Sequence, residues 1–196
     1  MRAVLVVGIM GSPRRNGNTE RLLESSLRGA QDAGAEVVRV RLQELDLSPC
    51  DACGRCEKEG ACQMNDDMEF LYDLFDRMDI VLLASPIYFS GLTAQTKTMI
   101  DRCHCLWVAK SEGRGIGAGR KRVGAFLSAG ADRWPRFDNA IFQVKAFFNT
   151  IGVEYSGEIT VPAVDRPGDI ADYHEALLAA ETLGRRLVGL LKGGPA

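Results

Sequence analysis

With 196 residues, 46% of them hydrophobic, the chain can bury one sizeable core and reads as a single globular domain over residues 1–196. A formal net charge of −2 leaves no basic footprint for a polyanion, which excludes nucleic acid as a partner. No stretch approaches the roughly 20 apolar residues of a membrane span. The apolar start MRAVLVVGIM runs into the basic GSPRRNGNTER with no small-residue cleavage site, so a cytoplasmic location is expected.

Along the chain, short apolar runs alternate with segments of helical period, and no internal repeat, low-complexity tract or linker interrupts them. Residues 3–10 read as a fully buried strand. Leu22, Leu23, Leu27 and Ala30 then mark a helix face that ends near Gly34. In EVVRVRL, Val38, Val40 and Leu42 alternate with Arg39 and Arg41, as expected of a strand with one wet face at a sheet edge.

Next comes SPCDACGRCEKEGACQ, with Cys50, Cys53, Cys56 and Cys62 spaced C-x2-C-x2-C-x5-C. Cytoplasmic thiols stay reduced, which weighs against disulfides. Three evenly spaced thiolates can wrap an iron–sulfur cube while a fourth, Cys62, arrives over the bend at Gly60. Four thiolates would equally close a tetrahedral zinc site, although structural zinc usually joins two separated pairs. A motif without any metal is the third reading.

Met68, Leu71, Leu74 and Phe75 mark a second helix, and the more continuously apolar DIVLLAS and RVGAFLSAG read as central strands. Met99, Ile100, Cys103 and Trp107 mark a further helix; Phe137, Ile141, Val144 and Phe148 another. A last strand over 153–163 and a helix carrying Leu177, Ala180, Leu187 and Leu191 complete five β units. The expected fold is α/β, a three-layer sandwich on a five-stranded parallel sheet of order 2-1-3-4-5.

Such a sheet binds its ligand beyond the carboxyl ends of the strands, at the switch point between strands one and three. The first loop, GSPRRNGNT, leads into a helix N-terminus, where free N–H groups and the helix dipole suit a phosphate. There Ser12, Asn18 and Thr19 could donate to phosphate oxygens and Arg14 or Arg15 could supply charge; a plain turn capped by Asn18 or Thr19 is the competing reading. The loop lacks a G-K-[ST] ending, which argues against a nucleoside triphosphatase. After strand three, SPIYFSGLTAQ offers Pro86, Ile87, Tyr88, Phe89, Ser90 and Gly91; after strand four, SAGADRW offers Ser128, Ala129 and Gly130. Small residues and two aromatics beside a phosphate site suit a flat heterocycle carrying a phosphate.

GSPRRNGNTERLL, ASPIYFSGLTAQTKTMIDR and the cysteine run between them resemble the flavodoxin-like NADPH-dependent FMN reductase superfamily, and specifically its iron–sulfur flavoprotein branch. The resemblance covers residues 1 to about 130, and the cysteine spacing matches that branch's motif. It implies noncovalent FMN with its phosphate in the 12–19 loop and its ring against residues 86–91 and 128–133. It also implies a [4Fe–4S] cluster on Cys50, Cys53, Cys56 and Cys62, and a homodimer or dimer of dimers.

The expected function is therefore electron transfer between FMN and a [4Fe–4S] cluster, with a small-molecule or protein redox partner and with NAD(P)H or a ferredoxin as candidate donor. The alternatives are a cluster-free NAD(P)H-dependent reductase of flavin or quinone, and a zinc-stabilised binding module. No side chain is assigned as acid or base. GRGIGA, residues 113–118, matches a dinucleotide fingerprint but follows a helix and precedes a strand, the reverse of what the fingerprint needs. Cys103 is expected in the core, with Cys105 about 200° away around the same helix, and neither His104 nor His174 has an identifiable partner.

Overall fold

A computed structural model describes residues 2–117, 119–130 and 137–193. Five parallel strands, β1 (Leu5–Met10), β2 (Glu36–Arg41), β3 (Ile80–Ala84), β4 (Val123–Ala129) and β5 (Glu154–Val161), lie in the order β2-β1-β3-β4-β5. The expected sheet order and three-layer fold are therefore found. Alternation splits the side chains of the central strands between two cores. Leu5, Val7 and Ile9 of β1 face one layer, Val6 and Met10 the other.

Helices α1 (Asn18–Asp32) and α7 (His174–Lys192) cover the second face with Leu22, Leu23, Leu27, Ala180 and Leu187. They meet backbone to backbone. A Cβ on Gly29 would lie 1.9 Å from the Glu181 carbonyl oxygen, and one on Gly184 would lie 1.9 Å from that of Ser26. Glycine at both positions is what lets the two helices approach.

On the first face lie α3 (Met68–Arg77), α4 (Ala94–Arg102) and α6 (Asp138–Thr150), burying Met68, Leu71, Phe75, Met99, Val144 and Phe148. Each such side chain contributes roughly 1.5–3 kcal/mol by leaving water. The edge strand β2 buries Val40 and leaves Arg39 exposed, as its alternation predicts, while Glu36, on the same face as Val40, is exposed at the strand's start.

Three elements differ from the sequence reading. β1 starts at Leu5, and Ala3 is exposed. The single helix expected across Met99–Trp107 breaks at Cys103 into α4 and α5 (His104–Ser111), with Cys103 N–H turning back onto Ile100 O at 3.0 Å. The break resets the helical phase, so Cys103 and Met99 stay buried while Trp107 is 53% exposed. A short helix, α2 (Arg55–Glu59), forms inside the cysteine loop. As expected, the GRGIGA segment lies between α5 and β4, outside any strand-to-helix turn; its Ala118 is outside the described residues. Among the described residues no helix is long and apolar enough to cross a membrane.

Candidate functional site

At the carboxyl end of the sheet the loops after β1, β3, β4 and β5 enclose a cleft of about 210 Å³. Its walls are Ser12, Arg14, Gly17, Asn18 and Thr19; Pro86, Ile87 and Tyr88; Ala129 and Gly130; and Val164, Asp165 and Pro167. The first loop is held in place from several sides. Gly11 N–H donates to Ala84 O (2.7 Å), Thr93 Oγ1 donates to Gly11 O (2.7 Å), and Ser12 Oγ accepts from Arg14 N–H (3.2 Å). That last bond leaves the Ser12 hydroxyl hydrogen free to donate into the cleft. Gly17 is the N-cap of α1 and makes no side-chain cap bond, so neither Asn18 nor Thr19 is the cap. The first-turn N–H groups therefore face the cleft without a capping side chain.

Asn18 does a different job from the one the sequence suggested. Its Nδ2 donates to Val164 O (3.1 Å) and Arg166 O (2.8 Å), and its Oδ1 accepts from Gly168 N–H (3.0 Å) and Ile170 N–H (3.3 Å). Two donors and two acceptor positions are filled. The side-chain amide braces the loop after β5 against α1, leaving only the backbone of Asn18 for an anion. That loop was missed in the sequence, although the rule of carboxyl strand ends applies to β5 as well.

Arg14 lines the cleft, whereas Arg15 turns away to pair with Glu44 at 2.7 Å. Ser128 is fully buried beneath the rim that Ala129 and Gly130 form. Residues 131–133 of the predicted ring-binding loop lie outside the described residues. Beyond Tyr88 the chain makes a tight turn closed by Tyr88 N–H to Gly91 O (2.9 Å) and Gly91 N–H to Tyr88 O (3.0 Å). Phe89 (φ 48°) and Ser90 (φ 62°) occupy its left-handed positions, and Phe89 is fully exposed. Phe89, Ser90 and Gly91 thus border the cleft mouth without lining the cleft.

The cysteine loop forms a second site. Cys50, Cys53, Cys56 and Cys62 all line one cavity of about 410 Å³, together with Arg102, His104 and Cys105. Left-handed Ala52 (φ 54°) and Gly54 (φ 67°) wrap the chain around it, and α2 carries Cys56 into its wall. All six cysteines are free thiols. Arg55 Nε donates to Cys53 Sγ at 3.3 Å, and Arg102 Nη2 donates to Cys62 Sγ at 3.4 Å. Burial, with the Cys105 and Cys62 sulfurs close by, pushes the Cys56 thiol above its ordinary value. Among the described residues no three His, Cys, Asp or Glu side chains converge on a single metal ion.

Three wall residues escaped the sequence reading. The break at Cys103 brings Cys105 to the cavity although helical spacing separated it from Cys103. His104 stacks on Trp107 and lies 3.8 Å from Glu57 of α2, which supplies the partner it lacked. Arg102 is 1% exposed and ion-pairs with Asp66. Burial alone would raise the Asp66 carboxyl, but Arg102 and the N–H groups of Ser48 and Met68 hold it below its ordinary value.

Residues 4–162 match the family described as NADPH-dependent FMN reductase. The chain belongs to this family. An iron–sulfur flavoprotein of Methanocaldococcus jannaschii is 30% identical over 197 residues, covering 95% of this chain and 97% of that protein. An iron–sulfur flavoprotein of Archaeoglobus fulgidus is 34% identical over 149 residues, 76% of this chain and 73% of its own length. These relatives place the chain in the iron–sulfur flavoprotein branch of the family, and it is a flavin-dependent oxidoreductase. Its fold is shared by the NAD(P)H:quinone oxidoreductase of Methanothermobacter marburgensis, with a TM-score of 0.71 at 16% identity over 95% of this chain and 98% of that one.

Proposed function

We propose that the protein transfers electrons between FMN in the carboxyl-end cleft and a [4Fe–4S] cluster on Cys50, Cys53, Cys56 and Cys62. The observation that carries this reading is that all four loop thiols line one cavity. A cube spreads four thiolates around a volume, whereas zinc draws four ligands to a point. Guanidinium donors on Cys53 and Cys62 suit sulfurs that carry negative charge.

At the cleft, the uncapped first turn of α1, the Ser12 hydroxyl and Arg14 suit the FMN phosphate, with Thr19 beside them. The cleft is smaller than the usual ~300–1,000 Å³ of a ligand pocket, so it takes the phosphate end and leaves the ring on the rim of Pro86, Ile87 and Tyr88. When bound, FMN supplies two-electron or stepwise exchange and the cluster supplies one-electron exchange. The protein holds the ring edge open to a donor, NAD(P)H or a ferredoxin, and no side chain moves a proton. Exposed Trp107 and Phe142 beside the cysteine cavity offer apolar surface for a protein redox partner or for the homodimer or dimer of dimers.

A cluster-free NAD(P)H-dependent reductase is the second reading. Its support is a putative NAD(P)H-dependent FMN-containing oxidoreductase of Bacillus subtilis, 26% identical over 91% of this chain and 95% of its own length. Stopped-flow reduction separates the two. In the proposed function, Cys→Ser changes in the loop spare flavin reduction by an artificial donor but abolish onward reduction of a one-electron carrier. Onward transfer that survives all four changes would favour the second reading.

A further inference from the structure

Arg102 is the last residue of α4 and sits at the base of the cysteine loop, with its guanidinium out of water. Its Nη1 donates to Ser48 O (2.9 Å) and to the Asp66 carboxylate; its Nη2 donates to Asp66 Oδ1 (3.0 Å) and to Cys62 Sγ (3.4 Å). Asp66 also accepts from the N–H groups of Ser48 (3.1 Å) and Met68 (3.0 Å). Ser48 and Asp66 stand 18 residues apart and bracket every cysteine of the motif. The carbonyl of Arg102 is itself held by Tyr72 Oη (2.7 Å) at the break between α4 and α5.

Stability alone does not account for this arrangement. A buried ion pair is often no better than apolar residues of the same volume, because desolvation cancels the attraction. What apolar residues cannot do, and lysine cannot do with a point charge, is serve a carbonyl, a carboxylate and a sulfur together from one rigid fork. We propose that Arg102 is the positioning residue of the cysteine site: it clasps the loop at both ends and aims an N–H at Cys62 Sγ. This inference rests on the reading of that loop as cluster ligands. Donors to a ligand sulfur stabilise its negative charge, and that raises a cluster's reduction potential.

The test uses the full chain, purified without oxygen, as Arg102→Lys and as the apolar pair Asp66→Leu/Arg102→Met. Three quantities are read: amide exchange over residues 48–66 in iron-free protein, the rate of iron loss from loaded protein, and the midpoint potential of loaded protein. FMN affinity serves as the check on folding. Both variants should bind FMN within about twofold of wild type, exchange the loop amides about tenfold faster and lose iron about tenfold faster. Arg102→Lys should also lower the midpoint potential. The apolar pair keeps the test alive if the lysine variant misfolds. Wild-type loop exchange in either FMN-binding variant overturns the clasp, and unchanged iron loss with an unchanged potential overturns the role at Cys62. An iron-free wild type whose variants still show fast loop exchange overturns the cluster reading and the role at Cys62 together, while the clasp stands.

Discussion

Replacing Asn18 with alanine separates bracing from binding. The side chain makes four hydrogen bonds across to the loop after β5, those to Val164 O and Ile170 N–H buried and those to Arg166 O and Gly168 N–H partly open to water. Water can replace the two open bonds at little cost. Each of the two buried groups left without a partner costs about 1–3 kcal/mol, so Asn18→Ala should destabilise the flavin-free protein by about 2–6 kcal/mol. At a urea slope of ~2 kcal/mol/M, the unfolding midpoint falls by ~1–3 M. Asn18→Asp keeps both acceptors but turns an anionic oxygen onto two carbonyls and puts negative charge beside the phosphate position, so it should lose more flavin affinity than the alanine variant. The assay is urea unfolding of the flavin-free protein alongside FMN titration. An Asn18→Ala protein with a wild-type midpoint and a tenfold loss of FMN affinity would refute the bracing account and make the amide a direct phosphate ligand.

Three further outcomes follow from the same geometry. Arg14→Ala should weaken FMN by about tenfold, the worth of one charge-assisted hydrogen bond, while Arg15→Ala leaves titration unchanged because that side chain is committed to Glu44. Gly29→Ala or Gly184→Ala forces a methyl into a backbone carbonyl and should cost about 1–3 kcal/mol or more, read as a lower Tm with unaltered flavin stoichiometry in the protein that remains folded. Asp66 has a folded pKa below its ordinary 3.8, so its pairing is fully present above pH 3.8 and is lost as pH falls through the lower folded value. Acid titration of stability should therefore show wild type falling toward Asp66→Asn below that pH, with a constant gap between them above it.

The order of the strands was legible because each β unit carries its own signal: continuous apolar runs for β1, β3 and β4, and alternation with arginine for β2 at the edge. The first wall of the cleft was legible for the same local reason, since glycine, hydroxyl and arginine residues cluster just before a helix start. Asn18, Arg102 and Cys105 were not. Asn18 reads as a binding residue until the loop 146–152 positions away folds back onto it. Arg102 carries no signal in the sequence, falling inside a helix expected to run on to Trp107; only the tertiary fold closes the cysteine loop around it. Cys105 was misread because the helix was extrapolated through Cys103, where the chain instead breaks and changes phase.

The central claim is that one chain carries both FMN and a [4Fe–4S] cluster, and the most direct measurement is iron, acid-labile sulfide and FMN per chain after anaerobic purification. The account predicts about four iron and four sulfide for each FMN, lost on changing Cys50, Cys53, Cys56 or Cys62 to serine and kept on changing Cys103 or Cys105. Anaerobic wild-type protein that carries FMN with neither iron nor sulfide would contradict it, and zinc in their place would make the cysteine loop a structural metal site.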